Sequence, residues 1–139
     1  MSDTFKPEII AFCCHYTIYN FARDLQGLTK SGFPENVKIE KVSCSGRVAR
    51  VHLLRTLEEG ADGVYVVGCE EEKCHNGAGS RRAKKRSEYV KDVLLQLGME
   101  PERTEMFFMP RGDEAKFIDI AREMVEKIKA LGPSPLRGK

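Results

Sequence analysis

The sequence lacks a long apolar run and a strong excess of either charge. No apolar stretch approaches the roughly 18 residues that a membrane-spanning helix requires, and the first residues do not show the basic and then apolar pattern of a secretory signal. The 23 Lys and Arg residues nearly balance the 21 Asp and Glu residues, which disfavours nucleic acid or an anionic membrane surface as the partner. We therefore expect a cytoplasmic protein without membrane insertion and without nucleic-acid binding.

The chain also lacks internal repeats, low-complexity segments and recognisable linkers. With 139 residues, of which 41% are hydrophobic and 32% charged, it has the size and composition of one globular domain. We expect a single domain over residues 1–139 with one core, and loosely ordered tails at residues 1–7 and 132–139.

Short strand patterns alternate with helical patterns along the chain. Strands are expected at residues 8–12, 37–42, 63–68 and 104–109, and helices at residues 19–28, 48–60, 80–97 and 113–131. This alternation predicts an α/β fold, a single flavodoxin-like domain. Its four-stranded parallel sheet should have the order 2-1-3-4, with helices on both faces.

Helical spacing also predicts which side chains the last three helices bury. The expected inward residues are Val48, Val51 and Leu54 in one helix, Val90, Val93, Leu94 and Leu97 in the next, and Phe117, Ile120, Ala121, Met124, Ile128 and Leu131 in the last.

All five cysteines fall near the predicted carboxyl ends of strands, and none occurs after position 74. Cys13 and Cys14 end the first strand, Cys44 follows the second, Cys69 follows the third, and Cys74 lies in the next loop. In a 2-1-3 order these strand ends lie within a span of about 10 Å, at the edge where such sheets bind ligands. Cysteines can also be inert buried residues, but this convergence favours a metal or cluster site.

Four thiolates suit either tetrahedral zinc or an iron–sulfur cluster. Structural zinc usually draws on two close cysteine pairs, and here Cys69 and Cys74 form a single close pair. This spacing favours a cluster but does not decide between the two, so a zinc-stabilised interaction module stays open as an alternative. A thiol phosphatase or reductase is a third, weaker one, because six residues separate Cys74 from Arg81 where the phosphatase loop has five.

Three residues could support the ligands without binding the metal. Arg86 shares the predicted inward side of its helix and could bond loop carbonyls or offset thiolate charge, and Arg47 could act in the same way. His75 adjoins Cys74 and is expected near the site. The basic residues 81–86 begin a helix at the same edge, so together with the surrounding loops they form the expected docking face.

Several motifs in combination resemble the delta subunit family of methyl-viologen-reducing hydrogenase. They run from Ile9 to Pro133 and comprise Phe12-Cys-Cys14, Phe33-Pro34, Cys44-Ser-Gly-Arg47, Glu59-Gly-Ala-Asp-Gly63, Gly68-Cys69, Cys74-His75 and Leu131-Gly-Pro133.

The resemblance implies a [2Fe-2S] protein that transfers electrons and needs no catalytic residue. Its implied partners are a hydrogenase, a formate dehydrogenase or another oxidoreductase on one side, and the flavin subunit of a heterodisulfide-reductase-type complex on the other. Such complexes can perform flavin-based electron bifurcation in anaerobic metabolism.

One position departs from the family pattern. Members usually carry a C-x₂-C pair in the first loop, and Thr17 stands where the second cysteine would be. The resemblance then implies Cys14, Cys44, Cys69 and Cys74 as the simplest complete ligand set, with Cys13 as the reserve ligand.

Overall fold

Four parallel strands form one sheet at the centre of the protein. The computed structural model describes residues 5–14, 32–42, 48–69, 79–110 and 113–136, with only the backbone described for residues 69 and 79–81. The strands are β1 (Ile9–Cys14), β2 (Val37–Val42), β3 (Gly63–Cys69) and β4 (Thr104–Met109), in the order β2-β1-β3-β4. This confirms the predicted parallel sheet in the order 2-1-3-4.

The described helices are α1 (Arg50–Glu58), α2 (Gly79–Gln96) and α3 (Glu114–Leu131), and a 3₁₀ turn spans Pro101–Arg103. The helix predicted at residues 19–28 lies outside the described residues. None of the helices in the described ranges has the length and apolar character needed to cross a bilayer.

The helices cover both faces of the sheet, as predicted. On the α3 face, the apolar side of α3 packs with residues such as Ile9, Ala11 and Tyr65. On the α1–α2 face, the two helices pack with the alternate strand residues, among them Val64 and Val66. Residues 64–67 are fully buried, which places β3 at the centre of both core layers.

Helix α3 follows the common rules for helix ends closely. The Asp113 carboxylate accepts a hydrogen bond from the Lys116 amide at 3.0 Å, which satisfies an otherwise unpaired donor of the first turn. Glu114 lies in the first turn and Lys129 in the last, so both charges match the helix dipole. The predicted inward residues of this helix are buried, except that Leu131 is half-buried.

The inward residues predicted for α1 and α2 are confirmed in part: Val48, Val90 and Leu94 are buried, Leu54 and Val93 are half-buried, and Val51 and Leu97 are exposed. Val51 is 50% exposed, because the buried pair of α1 is Leu53 and Leu57 and a residue two positions earlier points away from the sheet. Leu97 is 65% exposed because α2 ends at Gln96 and the helical repeat stops there. The buried stripe of α2 consists of Ala83, Ser87, Val90 and Leu94.

A buried arginine organises the edge of the sheet where the strands begin. Arg103 is 1% exposed, and its guanidinium donates hydrogen bonds to the carbonyls of Asp62, Gly132 and Pro133 at 2.9, 3.1 and 3.2 Å. It also pairs with the Glu100 carboxylate at 2.8 Å. Several carbonyls are thereby satisfied by a single buried cation.

The same edge holds the segment that follows α3. The fully buried Asp62 carboxylate accepts one hydrogen bond from the Glu8 amide at 2.8 Å and another from the Ser134 amide at 2.9 Å. Residues 132–136, which the sequence predicts to be loosely ordered, are therefore tied to the beginnings of β1 and β3.

Candidate metal centre

The strand ends that carry the predicted ligands meet at one edge of the sheet. Cys14, the last residue of β1, lies opposite Val42, the last residue of β2. On the other side of β1, the register with β3 puts Cys69 one residue beyond the level of Cys14. Cys44 comes two residues after the end of β2. The topology therefore brings to one edge the ends of the three strands that carry or precede these cysteines.

The remaining predicted site residues lie outside the described ranges. These are Cys44, Cys74, Arg47 and His75, and the side chain of Cys69 also belongs to this group. Within the described ranges, no three His, Cys, Asp or Glu side chains form a group that could hold a metal ion.

The adjacent thiols of Cys13 and Cys14 have different surroundings. Cys13 belongs to the core cluster of the α3 face, and its thiol donates a weak hydrogen bond to the Ala11 carbonyl, with a sulfur–oxygen distance of 3.6 Å. Burial, and secondarily the neighbouring Cys14, raises the pKa of the Cys13 thiol far above its ordinary value. Side chains alternate along a strand, so Cys14 points to the α1–α2 face, where it is buried at the end of β1.

Tyr65 makes the surroundings of Cys13 still less suited to a negative charge. Its ring is fully buried and packs edge-to-face on Phe107, with ring centroids 5.6 Å apart. Burial, followed by the proximity of Cys13, raises the pKa of the Tyr65 hydroxyl. Burial thus opposes the charged form of both the Cys13 thiol and the Tyr65 hydroxyl.

Arg86 anchors the chain just after the predicted ligand Cys44. Its guanidinium is half-buried and donates a hydrogen bond to the Val48 carbonyl at 3.1 Å. Val48 is buried and lies four residues after Cys44. Of the two roles that the sequence suggests for Arg86, the contact with a loop carbonyl is present.

His52 anchors the same segment from within α1. Its Nδ1 atom accepts a hydrogen bond from the Ala49 amide at 2.9 Å, and its ring lies 6.5 Å from that of Phe12 on β1. No role for His52 was predicted from the sequence. The available signal was its position in the first turn of α1, where a side-chain acceptor can satisfy the amide of the capping residue.

Residues 9–132 match the sequence profile of the family described as "Methyl-viologen-reducing hydrogenase, delta subunit". Among curated relatives, the chain is 36% identical over 132 residues to the iron-sulfur subunit of the vhu F420-non-reducing hydrogenase of Methanococcus maripaludis. That alignment covers 95% of this chain and 98% of the relative. The protein of the same name in Methanocaldococcus jannaschii is 37% identical over 131 residues, covering 94% of this chain and 97% of the relative.

A longer relative matches through a small part of its length. The chain is 34% identical over 127 residues to one subunit of the Ferredoxin/F(420)H(2)-dependent CoB-CoM heterodisulfide reductase of Methanosarcina acetivorans. That alignment covers 91% of this chain but 16% of the relative.

Proposed function

This chain belongs to the delta subunit family of methyl-viologen-reducing hydrogenase, and from that membership we propose that it is an iron–sulfur subunit that transfers electrons within an oxidoreductase complex. Its relatives are named as iron-sulfur subunits of F420-non-reducing hydrogenases and as subunits of heterodisulfide reductases. The single observation that carries the proposal is the meeting of the β1, β2 and β3 ends at one edge, each ending at or two residues before a cysteine.

The proposed cofactor is one [2Fe-2S] cluster held by Cys14, Cys44, Cys69 and Cys74. Thiolates from separate strand ends fit such a cluster, because cysteine sulfur is its usual ligand and the strand spacing brings the loops together. A bound cluster of this kind accepts and releases one electron at a time.

The chain's own residues would prepare this site in two ways. Cys14 is buried at the end of a central strand, which keeps water from one side of the site. Arg86 and His52 hold residues 48 and 49, the first described residues after the segment that carries Cys44. Cys13 would remain a protonated core residue, because a thiolate there would be buried among the apolar side chains of the α3 face.

The proposed partners are a hydrogenase, a formate dehydrogenase or another oxidoreductase as one redox partner, and the flavin subunit of a heterodisulfide-reductase-type complex as the other. In a complex that performs electron bifurcation, this protein would be the entry point for electrons. For that role the chain need not supply an acid, a base or a nucleophile, because the cluster would carry the electron.

A matched pair of cysteine variants tests the cluster assignment. The protein would be purified anaerobically, and its iron and acid-labile sulfide measured together with absorption and electron paramagnetic resonance spectra before and after dithionite. We expect two irons and two sulfides per chain in the unaltered protein and in Cys13→Ser, and loss of iron in Cys14→Ser. Zinc in place of iron, or no metal in the folded protein, would overturn the assignment. Iron loss in Cys13→Ser alone would transfer the ligand role to Cys13.

A further inference from the structure

Exposed large apolar side chains are confined to one side of the described molecule. Val51, Tyr89, Leu95 and Leu97 are 48–65% exposed, and all of them lie on α1, on α2 or directly after α2. Helix α3 exposes no comparable side chain. The outer surface of α1 and α2 is thus the place where the described residues offer apolar contact area to another molecule.

Two of these residues lie within a compact group of basic side chains. Arg82, Lys85 and Tyr89 are spaced by three and four residues and so follow one side of α2. Tyr89 is in contact with α1, because the Arg50 guanidinium lies 4.4 Å from the centre of its ring. Val51 adjoins Arg50. We call Arg50, Val51, Arg82, Lys85 and Tyr89 the basic-aromatic patch.

The charges of this patch oppose the electrostatics of its own helices. Neither α1 nor α2 has an acidic residue in its first turn, although the positive end of the helix dipole favours acids there. Residues 79–87 contain five basic side chains and no acidic one. Among the described residues, no carboxylate forms an ion pair with Arg82 or Lys85. Within the described ranges, the charges of Arg82 and Lys85 therefore oppose the dipole of α2 without an ion pair to offset them.

The patch also lies at the edge of the sheet where the proposed ligands converge. Helices α1 and α2 follow the connections after β2 and β3, so both helices begin at the carboxyl ends of the strands. Arg86, in the same turns of α2 as Arg82 and Lys85, contacts Val48 just before α1. A protein bound to the patch would consequently lie beside the cysteine edge.

We propose that the basic-aromatic patch is the docking surface for an acidic patch on the flavin-containing subunit of a heterodisulfide-reductase-type complex. The inference rests on the proposed function and adds the surface and the chemistry by which the electron partner is recognised. Acidic side chains on the partner would neutralise Arg82 and Lys85, while the Arg50–Tyr89 stack and Val51 supply apolar contact at the centre. Tyrosine and arginine are the residue types that most often dominate binding energy in such interfaces.

The test compares two double charge reversals of equal size. Arg82→Glu with Lys85→Glu changes the patch, and Lys116→Glu with Lys129→Glu changes two exposed lysines of α3. Binding to the purified flavin-containing heterodisulfide reductase subunit of the same organism would be measured at low and physiological salt. Iron content and absorption would be recorded for every variant.

We expect the patch reversal to weaken binding more than tenfold at low salt, Tyr89→Ala to weaken it severalfold, and the α3 reversal to change it less than twofold. Binding by the unaltered protein should weaken as salt rises. Equal effects of the two reversals, no binding by the unaltered protein, or tighter binding to a labelled DNA duplex than to the flavin-containing partner would each overturn the docking proposal. The iron and spectroscopic measurements stand apart from these outcomes, since a failed cluster assignment appears as missing iron in the unaltered protein.

Discussion

The helices on the two faces of the sheet differ in their capping, their terminal charges and the side chains they bury. On the α3 face, the capping acid, the dipole-matched charges and a continuous buried stripe all favour the same structure. On the α1–α2 face, the helices bury narrower stripes, have no acidic residue in the first turn and expose apolar side chains. Agreement of local rules with the fold is what stabilises a domain, and departures concentrated in one region indicate that the region has another task.

The cysteine pair at the end of β1 shows the same contrast at the scale of two residues. Cys13 points into the apolar α3-face core, where burial raises the pKa of its thiol, while Cys14 belongs to the side that faces α1 and α2. Consecutive residues of a strand thus divide between a structural layer and the layer where the proposed cluster and docking surface lie.

The largest expected effect is the loss of a core ring from the α3 face. Phe117 is fully buried and stacks on Phe33, with centroids 5.3 Å apart, so Phe117→Ala should lower the free energy of unfolding by about 3–5 kcal/mol. Tyr89→Ala on the opposite face should cost less than about 1 kcal/mol, since its main described contact is an exposed cation–π pair. Urea denaturation of both variants checks the contrast, and equal losses would remove it.

A smaller difference in stability is expected between variants at the starts of α3 and α1. Asp113→Ala removes the charged acceptor for the Lys116 amide and should destabilise the protein by about 1 kcal/mol. His52→Ala removes the imidazole acceptor for the Ala49 amide and should cost less, because this variant does not remove a carboxylate from the positive end of a helix dipole. Thermal unfolding of the two variants under identical conditions measures the difference. A greater loss in His52→Ala would contradict the ranking.

One charge reversal should increase the free energy of unfolding, by a still smaller amount. Arg82→Glu places an acid near the start of α2, where the first turn has none, and should raise the stability by about 0.3–1 kcal/mol. Glu114→Lys at the start of α3 should lower it by a similar amount. Denaturation at low salt measures both changes. Destabilisation by Arg82→Glu would mean that the basic start of α2 is needed for folding.

The smallest effect concerns acid stability and belongs to neither face. The Glu100 backbone N–H, followed by the Arg103 guanidinium, lowers the pKa of the Glu100 carboxyl. A lowered folded-state pKa stabilises the fold while the group is ionised, so this contribution is present above the ordinary carboxyl range and is lost as pH falls through the lowered value. Glu100→Gln should therefore flatten the acid limb of the stability curve slightly. An unchanged acid limb would show that solvent screens the interaction fully.

The sheet could be predicted from the sequence because its strands are short apolar segments bounded by turns and separated by helical patterns. The order 2-1-3-4 followed from right-handed crossovers. The buried faces of α1 and α2 were less predictable. Val51 and Leu97 fit a helical spacing in the sequence. The buried side of α1 is instead set by Leu53 and Leu57, and α2 ends before Leu97.

The candidate site was predictable as an edge but not as a set of contacts. Cysteine positions relative to strand ends were sufficient to predict that the ligands share one edge. The contacts of Arg86 with Val48 and of His52 with Ala49 join segments whose relative placement follows from tertiary packing. Arg103 is a similar case, since a charged residue between two structural elements gives no sign in the sequence that it is fully enclosed.

The Arg103–Asp62 network has a consequence for how this fold can be used as a building block. Glu8 and Ser134 are held by the same carboxylate, so the chain enters and leaves the described body side by side, at the pole opposite the cysteines. A longer polypeptide can therefore include the unit as an insert or a terminal extension, with both connections on one side. The edge of the sheet that carries Cys14, where the cluster is proposed, would then remain free to face the rest of that polypeptide.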